Sequence, residues 1–539
     1  MRPLAAALVG FSLFTPSLRA NPGATVGSLI FPNSGSTAAQ KDFLHGLAQL
    51  HNFEYEDAAE AFRRAQQTDP AFAMAYWGEA MTKNHPIWME QDLDAARGIL
   101  KRLAPTPEGR LAKAPTSREK AYVASLDLLY GEGDKLARDR AYSGAMGALS
   151  EEFPDDPDAS AFFALSLLGT AHEGRDIPIY MKAAGILEPL FCRYPEHPGI
   201  AHYLIHACDD PVHAPLALPA ARAYSKIAPD AGHAQHMCSH IFLALGLWDD
   251  VVSANETAIG VVNRNRSAKG LPEVGCGHYP LWLEYGYLQQ GRIRDADRIL
   301  AGCRNQFVRA AGEAHVHPGS HLDPDNSAAG SYTEMRAFRV FEAGEPGAGE
   351  PPTAVDLANF PGAKVTDAFT RGLTLARRGE SKKAREASAA FDEARAEVEK
   401  KLPNEVGKMN TGRMKILRLE LDAAIELAEG RGESAEALLR QAAALENALP
   451  SAFGPPFVEK PSDEMLGEAL LALKRPAEAA KAFAAALGRA PRRTLSLLGL
   501  ARAQAQAGEA EMSRRTYGEL KQILRRADRV PEDVKIVPK

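Results

Sequence analysis

The sequence predicts an all-α solenoid of stacked antiparallel helix pairs, and three observations point there. Blocks of about ten to fifteen residues with apolar side chains at helical spacing alternate from about residue 38 to 527. Small and aromatic residues recur in one register of 34 residues near both ends of the chain. Ala and Leu dominate the blocks, and Gly and Pro fall between them. A repeat array grows without one central core, so 539 residues do not require several globular domains.

The register carries the argument. Its template has a small residue at positions 8 and 15, Ala at 20 and 27, an aromatic at 17 and 24, and Pro at 32. The first unit places Gly46, Tyr55, Ala58, Phe62, Ala65 and Pro70 at 8, 17, 20, 24, 27 and 32. A late unit places Gly467, Ala479, Phe483, Ala486 and Pro491 at 8, 20, 24, 27 and 32, and the next continues with Gly508 and Tyr517. Small residues let the two helices and the next repeat approach, large ones fill the gaps, and Pro starts the following turn. The chain therefore resembles the tetratricopeptide-repeat superfamily along most of its length. That resemblance implies helix pairs wound into a right-handed superhelix with a concave binding groove. The stretches from Phe53 to Ala59, Ala73 to Gly78, His197 to His206 and His233 to Phe242 resemble a group of exported bacterial proteins of this superfamily. Cys238 stands where that group usually has Pro. The resemblance implies an architecture and not a reaction.

Taken in order, residues 1–20 read as a signal peptide. Met1 and Arg2 make a positive start, Leu4 to Phe14 an apolar stretch, and Leu18, Arg19 and Ala20 a cleavage site before Asn21. No cysteine sits near that site to carry a lipid, so the expected location is periplasmic or secreted. Residues 21–37 are a lead-in, and 38–303 form the first repeat block. Residues 304–362, rich in Gly, Pro and Ala, read as a loop or linker. A second block spans 363–527, followed by a tail at 528–539. No histidine, cysteine or tryptophan follows the linker, so any chemistry belongs to the first block.

Composition removes some classes. Apolar residues are 45% and charged residues 24%, as in an ordinary soluble globular chain. A net charge of −6, a pI of about 6.2 and the lack of a Lys/Arg run argue against nucleic acid as partner. Mean hydropathy is −0.26, and no transmembrane segment is expected after signal removal. Five cysteines leave an odd one, so the repeats and not a disulfide framework must supply stability.

Residues 198–265 are the most informative part. Pro195 and Pro229 both take position 32, which puts Gly246 at 15 and Trp248 at 17. His202 and His236 then both fall at position 5, and His206 and His240 both at 9. His233 takes position 2, and Asp209 and Asp210 take 12 and 13. Spacings of three and four place these residues on one face of each repeat's first helix. The superfamily resemblance turns that face toward the groove. Neighbouring helix axes lie roughly 8–10 Å apart, so imidazoles from both helices can meet at one ion. His at i and i+4 is a workable pair for one Zn or Cu ion. The competing reading is a polar network in which these histidines, with Asp209 and Asp210, only fix the groove's shape.

Phe43 and His51 of the first repeat, Trp77 and His85 of the second, and His278 and Tyr285 further on are expected to line the same groove. Such a lining suits a peptide, a protein segment or a small ligand. Trp248 and Trp282 read as packing residues. His315, His317 and His321 form a second cluster in the linker, read as a solvated loop. No G-x-S-x-G, phosphate-cradling loop, dinucleotide fingerprint or HExxH is present. Cys208 and Cys238 fall on the packing side of their helices. The expected function is a binding scaffold working through its groove, with binding read ahead of catalysis. The alternative is a metal-binding protein or metal-dependent enzyme built on His202, His206, His236 and His240.

Overall fold

The computed structural model describes residues 25–310, 328–343, 355–401, 405–451 and 453–536. The signal peptide and the His315–His321 cluster lie outside the described residues. Among the described residues the chain forms twenty-five α-helices and one short antiparallel hairpin. It is an all-α solenoid of antiparallel helix pairs. No helix among the described residues is long and apolar enough to cross a membrane.

Local chemistry sets the helix ends. Thr116 and Glu119 form a reciprocal capping box, and the Asp156 carboxylate accepts the Ala159 N–H at 3.2 Å. Gly246 and Gly508, both at position 15, end first helices with φ of +63° and +84°, a conformation that disfavours any side chain. The packing then repeats. The Phe62 ring lies between Gly46 and Gly78, where an added Cβ would sit 3.1 and 2.3 Å from it. Phe483 lies between Gly467 and Gly499 in the same way, at 2.8 and 2.3 Å. One motif thus recurs in one register at both ends of the molecule.

The interior is closed. Gly199 packs on the His51 ring, so the Gln40–His51 and Pro198–Ala207 helices touch directly across the groove. The lead-in enters from one side. Phe31 packs against Phe43, Trp77 and Tyr122 at ring separations of 5.5, 6.1 and 5.4 Å, and the Asn52 amide donates to the Val26 carbonyl. The second block closes the other side. The Trp248 indole donates to the Arg492 carbonyl at 2.9 Å, the buried Arg493 donates to the Tyr285 hydroxyl at 2.7 Å, and Gly454 rests on Trp282. Phe43, His51, Trp77 and Tyr285 face inward as their register positions require, but each is fully buried instead of lining an open groove. Sequence spacing specifies the inward face; only the winding decides whether that face meets solvent.

Two further differences have local causes. His85 leaves its expected helical position because the Ala73–Met81 helix stops early. Asn84 and His85 pair antiparallel with Gln91 and Glu90, and the imidazole stacks on Tyr55 at 4.0 Å. Part of the expected linker 304–362 is helical. The Ile293–Ala310 helix runs into it, and an Ala328–Ala343 helix buries Tyr332, Met335, Phe338 and Phe341. The Gly- and Pro-rich composition that suggested a linker is concentrated at 344–352, outside the described residues. Cys276 and Cys303 are joined in a disulfide, which leaves Cys192, Cys208 and Cys238 as free thiols.

Candidate metal centre

Three first helices of consecutive repeats carry the site: Pro198–Ala207, Gly232–Ala244 and His278–Gln289. They gather six imidazoles into two trios. One is His202, His206 and His233; the other is His236, His240 and His278, and within each trio the ligand atoms lie within 4.8 Å of one another. All are buried except His278 at its exposed helix start. The four histidines expected to share one ion are thus divided two and two. Each pair is completed by a histidine expected only on the groove lining. The trios adjoin, with His206 and His240 ring centroids 5.9 Å apart.

The hydrogen bonds of the second trio determine its protonation. Asn255 donates its amide to the Val251 carbonyl at 2.9 Å, which turns its own oxygen toward His236. His236 Nδ1 must then donate to that oxygen, at 2.7 Å. Asp209 can only accept, so His240 Nδ1 donates to it at 2.5 Å. Both Nε2 atoms are left as lone pairs, and they face each other at 3.1 Å. Two lone pairs at that distance require a cation between them, either a proton or a metal ion. Ligand nitrogens on one tetrahedral Zn²⁺ lie about 3.3 Å apart, given Zn–N bonds of 2.0–2.1 Å. Burial holds His236 well below the usual histidine range, and the neighbouring imidazoles add to the effect. The neutral ring is the form that binds metal. Trp282 packs on His240 and His236 at 4.4 and 4.8 Å and fixes both rings.

In the first trio, His202 Nδ1 donates to the His51 carbonyl at 2.7 Å, leaving Nε2 as a buried lone pair without a hydrogen-bond partner among the described residues. Neither ring nitrogen of His206 has one among the described residues. Burial, reinforced by neighbouring imidazoles, holds both residues well below the usual range. The Phe53 ring closes the space at 4.3 Å from His202 and 5.7 Å from both His206 and His233.

A third buried cluster behaves differently. His51 Nε2 donates to Asp158 at 2.9 Å, and its Nδ1 accepts from the Tyr203 hydroxyl at 2.9 Å. His197 Nε2 donates to the same carboxylate oxygen at 3.3 Å, and its Nδ1 caps the Pro198–Ala207 helix by accepting the Ile200 N–H. Every ring nitrogen is satisfied, although Asp158 Oδ2 has no partner among the described residues, so the imidazoles of this cluster act as a structural clamp.

The remaining expected residues take other roles. Asp209 is an outer partner of His240. Asp210 is tied to Arg175 at 2.9 Å and to His213 at 2.8 Å, holding the turn after Cys208. Burial pushes the Cys208 and Cys238 thiols up to about 12, which removes them as nucleophiles. A cavity of about 90 Å³ between the two blocks, lined by Asp209, Trp248, Tyr285 and Pro491, reaches the outer side of the His240 partner. Asn255 escaped sequence reasoning although a signal was present. It takes position 24, where Phe62 and Phe483 pack elsewhere, and a fully buried amide at an aromatic position marks a polar task.

The chain is similar in structure to yeast Tom70, at 13% identity over 89% of this chain and 97% of that one, with a TM-score of 0.34. It is similar also to human IFIT1, solved as a dimer with m7Gppp-AAAA, at 13% identity over 93% and 92% of the two chains, TM-score 0.34. A third similar structure is the P58(IPK) TPR domain, at 12% identity over 88% and 99%, TM-score 0.22. No protein-family model and no curated protein matches the sequence.

Proposed function

We propose that this chain is an exported metal-binding solenoid holding a zinc or copper ion on His236, His240 and His278. The observation that carries the reading is the pair of Nε2 lone pairs facing each other at 3.1 Å, each imposed by a fixed hydrogen bond on the opposite ring nitrogen. Asp209 and Asn255 act as the outer partners that orient ligating imidazoles and raise their basicity. Three protein ligands leave one tetrahedral position for an exchangeable group, on the side where His278 is exposed. The apolar leader and the Cys276–Cys303 disulfide support export, since disulfides persist in oxidising compartments. A scaffold role for a protein or peptide partner, as stacked repeats commonly serve, falls to the outer faces, because the His-lined interior is enclosed.

Protein purified without a histidine tag should contain zinc or copper by elemental analysis, and adding either metal to stripped protein should raise its thermal midpoint. The His236→Ala/His240→Ala variant should lose the ion of this trio. Wild-type protein with no bound metal and an unmoved midpoint in added Zn²⁺, Cu²⁺ and Cu⁺ overturns the reading.

A further inference from the structure

The first trio presents a problem that the second does not solve for it. His202 Nε2 is a lone pair by virtue of the His51 carbonyl on its other nitrogen, and it meets no donor among the described residues. His206 is buried with neither ring nitrogen partnered among the described residues. Buried polar atoms in a native fold are satisfied in the great majority of cases, so two such residues at one point call for an occupant. His233 brings its ligand atom to the same point, within the 4.8 Å that encloses the trio. Its backbone N–H is held by Glu54 at 3.0 Å, and its Nδ1 lies 3.4 Å from the Tyr279 hydroxyl.

We propose that His202, His206 and His233 hold a second metal ion, so that the two adjoining trios form a two-ion copper(I) centre. The inference rests on the metal reading of the His236 trio. Charge selects the metal. Six neutral imidazoles supply no counter-charge, Asp209 and Glu54 supply one carboxylate each, and Asp210 is already committed to Arg175 and His213. Two divalent ions would bury four positive charges against these two carboxylates, whereas two Cu⁺ ions bury two. Buried charge without compensation is strongly disfavoured, and imidazole is a good copper ligand. Zn²⁺ then fills the second trio alone.

The test titrates stripped, full-length protein with Cu⁺ under anaerobic conditions against a chromogenic chelator, with Zn²⁺ as a parallel arm. Wild type should take about two Cu⁺ per chain and about one Zn²⁺. His206→Leu should take about one Cu⁺, while its metal-free thermal midpoint stays level or rises, because two unpartnered nitrogens leave the interior. A histidine with a purely structural role would lower that midpoint. One Cu⁺ in wild type overturns the second ion, assigns the space to water and leaves the metal reading standing. Two Cu⁺ in a folded His206→Leu variant also overturns it. No Cu⁺ and no Zn²⁺ in wild type removes the metal reading itself. Should the variant not fold, the wild-type stoichiometry decides alone.

Discussion

Two buried histidine clusters in this fold look alike by residue type and differ in where their hydrogen bonds end. Around Asp158, His51 and His197 each donate one proton to the carboxylate and accept one from a hydroxyl or a backbone amide. Around His240, the outer nitrogens are equally well fixed by Asp209 and Asn255, but the inner ones face each other without a proton of their own. In the first cluster every ring nitrogen is paired, and the one polar atom left over among the described residues is the second Asp158 oxygen, not an imidazole nitrogen. The second is complete only with a cation. Burial and crowding are shared by both and do not separate a clamp from a metal site; accounting for each ring nitrogen does.

The largest way to press this contrast is acid. His51 titrates near pH 6.5 in the unfolded chain, and burial, outweighing the Asp158 hydrogen bond, lowers it to about 4 in the fold. Protons therefore bind the unfolded chain more readily between those values. Stability of the metal-free protein is complete above pH 6.5 and falls as the pH drops toward about 4, with His51 contributing about 3 kcal/mol. Denaturant unfolding at stepped pH measures the fall, which the buried His202, His206 and His236 steepen, and a flat profile from pH 7 to 4 would show these rings already charged in the fold.

Removing the clamp comes next. Asp158→Ala leaves two buried N–H donors without an acceptor and should cost about 2–3 kcal/mol in denaturant unfolding, with metal content unchanged. Burial alone would raise that carboxyl; the His197 and His51 hydrogen bonds outweigh it and hold it well below the usual range, so the group is charged and its loss is felt at neutral pH. A loss of bound metal in this variant would erase the distinction between the clusters. The smallest effect belongs to Asp209→Asn, which keeps the shape beside His240 but weakens the acceptor. Metal affinity should fall by about 10–100-fold, read by chelator competition. An unchanged affinity would mean that Asp209 only packs.

Much of the helical array is legible in the chain. Gly46, Phe62, Gly467 and Phe483 declare the register at both ends, because helices approach closely only where side chains are small and fill the gap only where one is large. The same register finds His202, His206, His236 and His240 on one inward face. It does not find how they divide, since the partition depends on where the His278 helix crosses and how far each imidazole reaches. The Ala328–Ala343 helix was hidden for a simpler reason: the Gly- and Pro-rich run beside it dominates any composition window.

Which residues point inward can be read from the chain, because a period of 3.6 and a repeat of 34 leave each side chain one face to occupy. The tertiary structure alone decided what inward means. Phe31 of the lead-in and Arg493 of the second block come from far along the chain to close the interior, turning a groove lining into a buried core. Within that core the outer hydrogen bonds of Asp209 and Asn255, and no feature of the histidines themselves, decide which imidazoles are left with a lone pair to give.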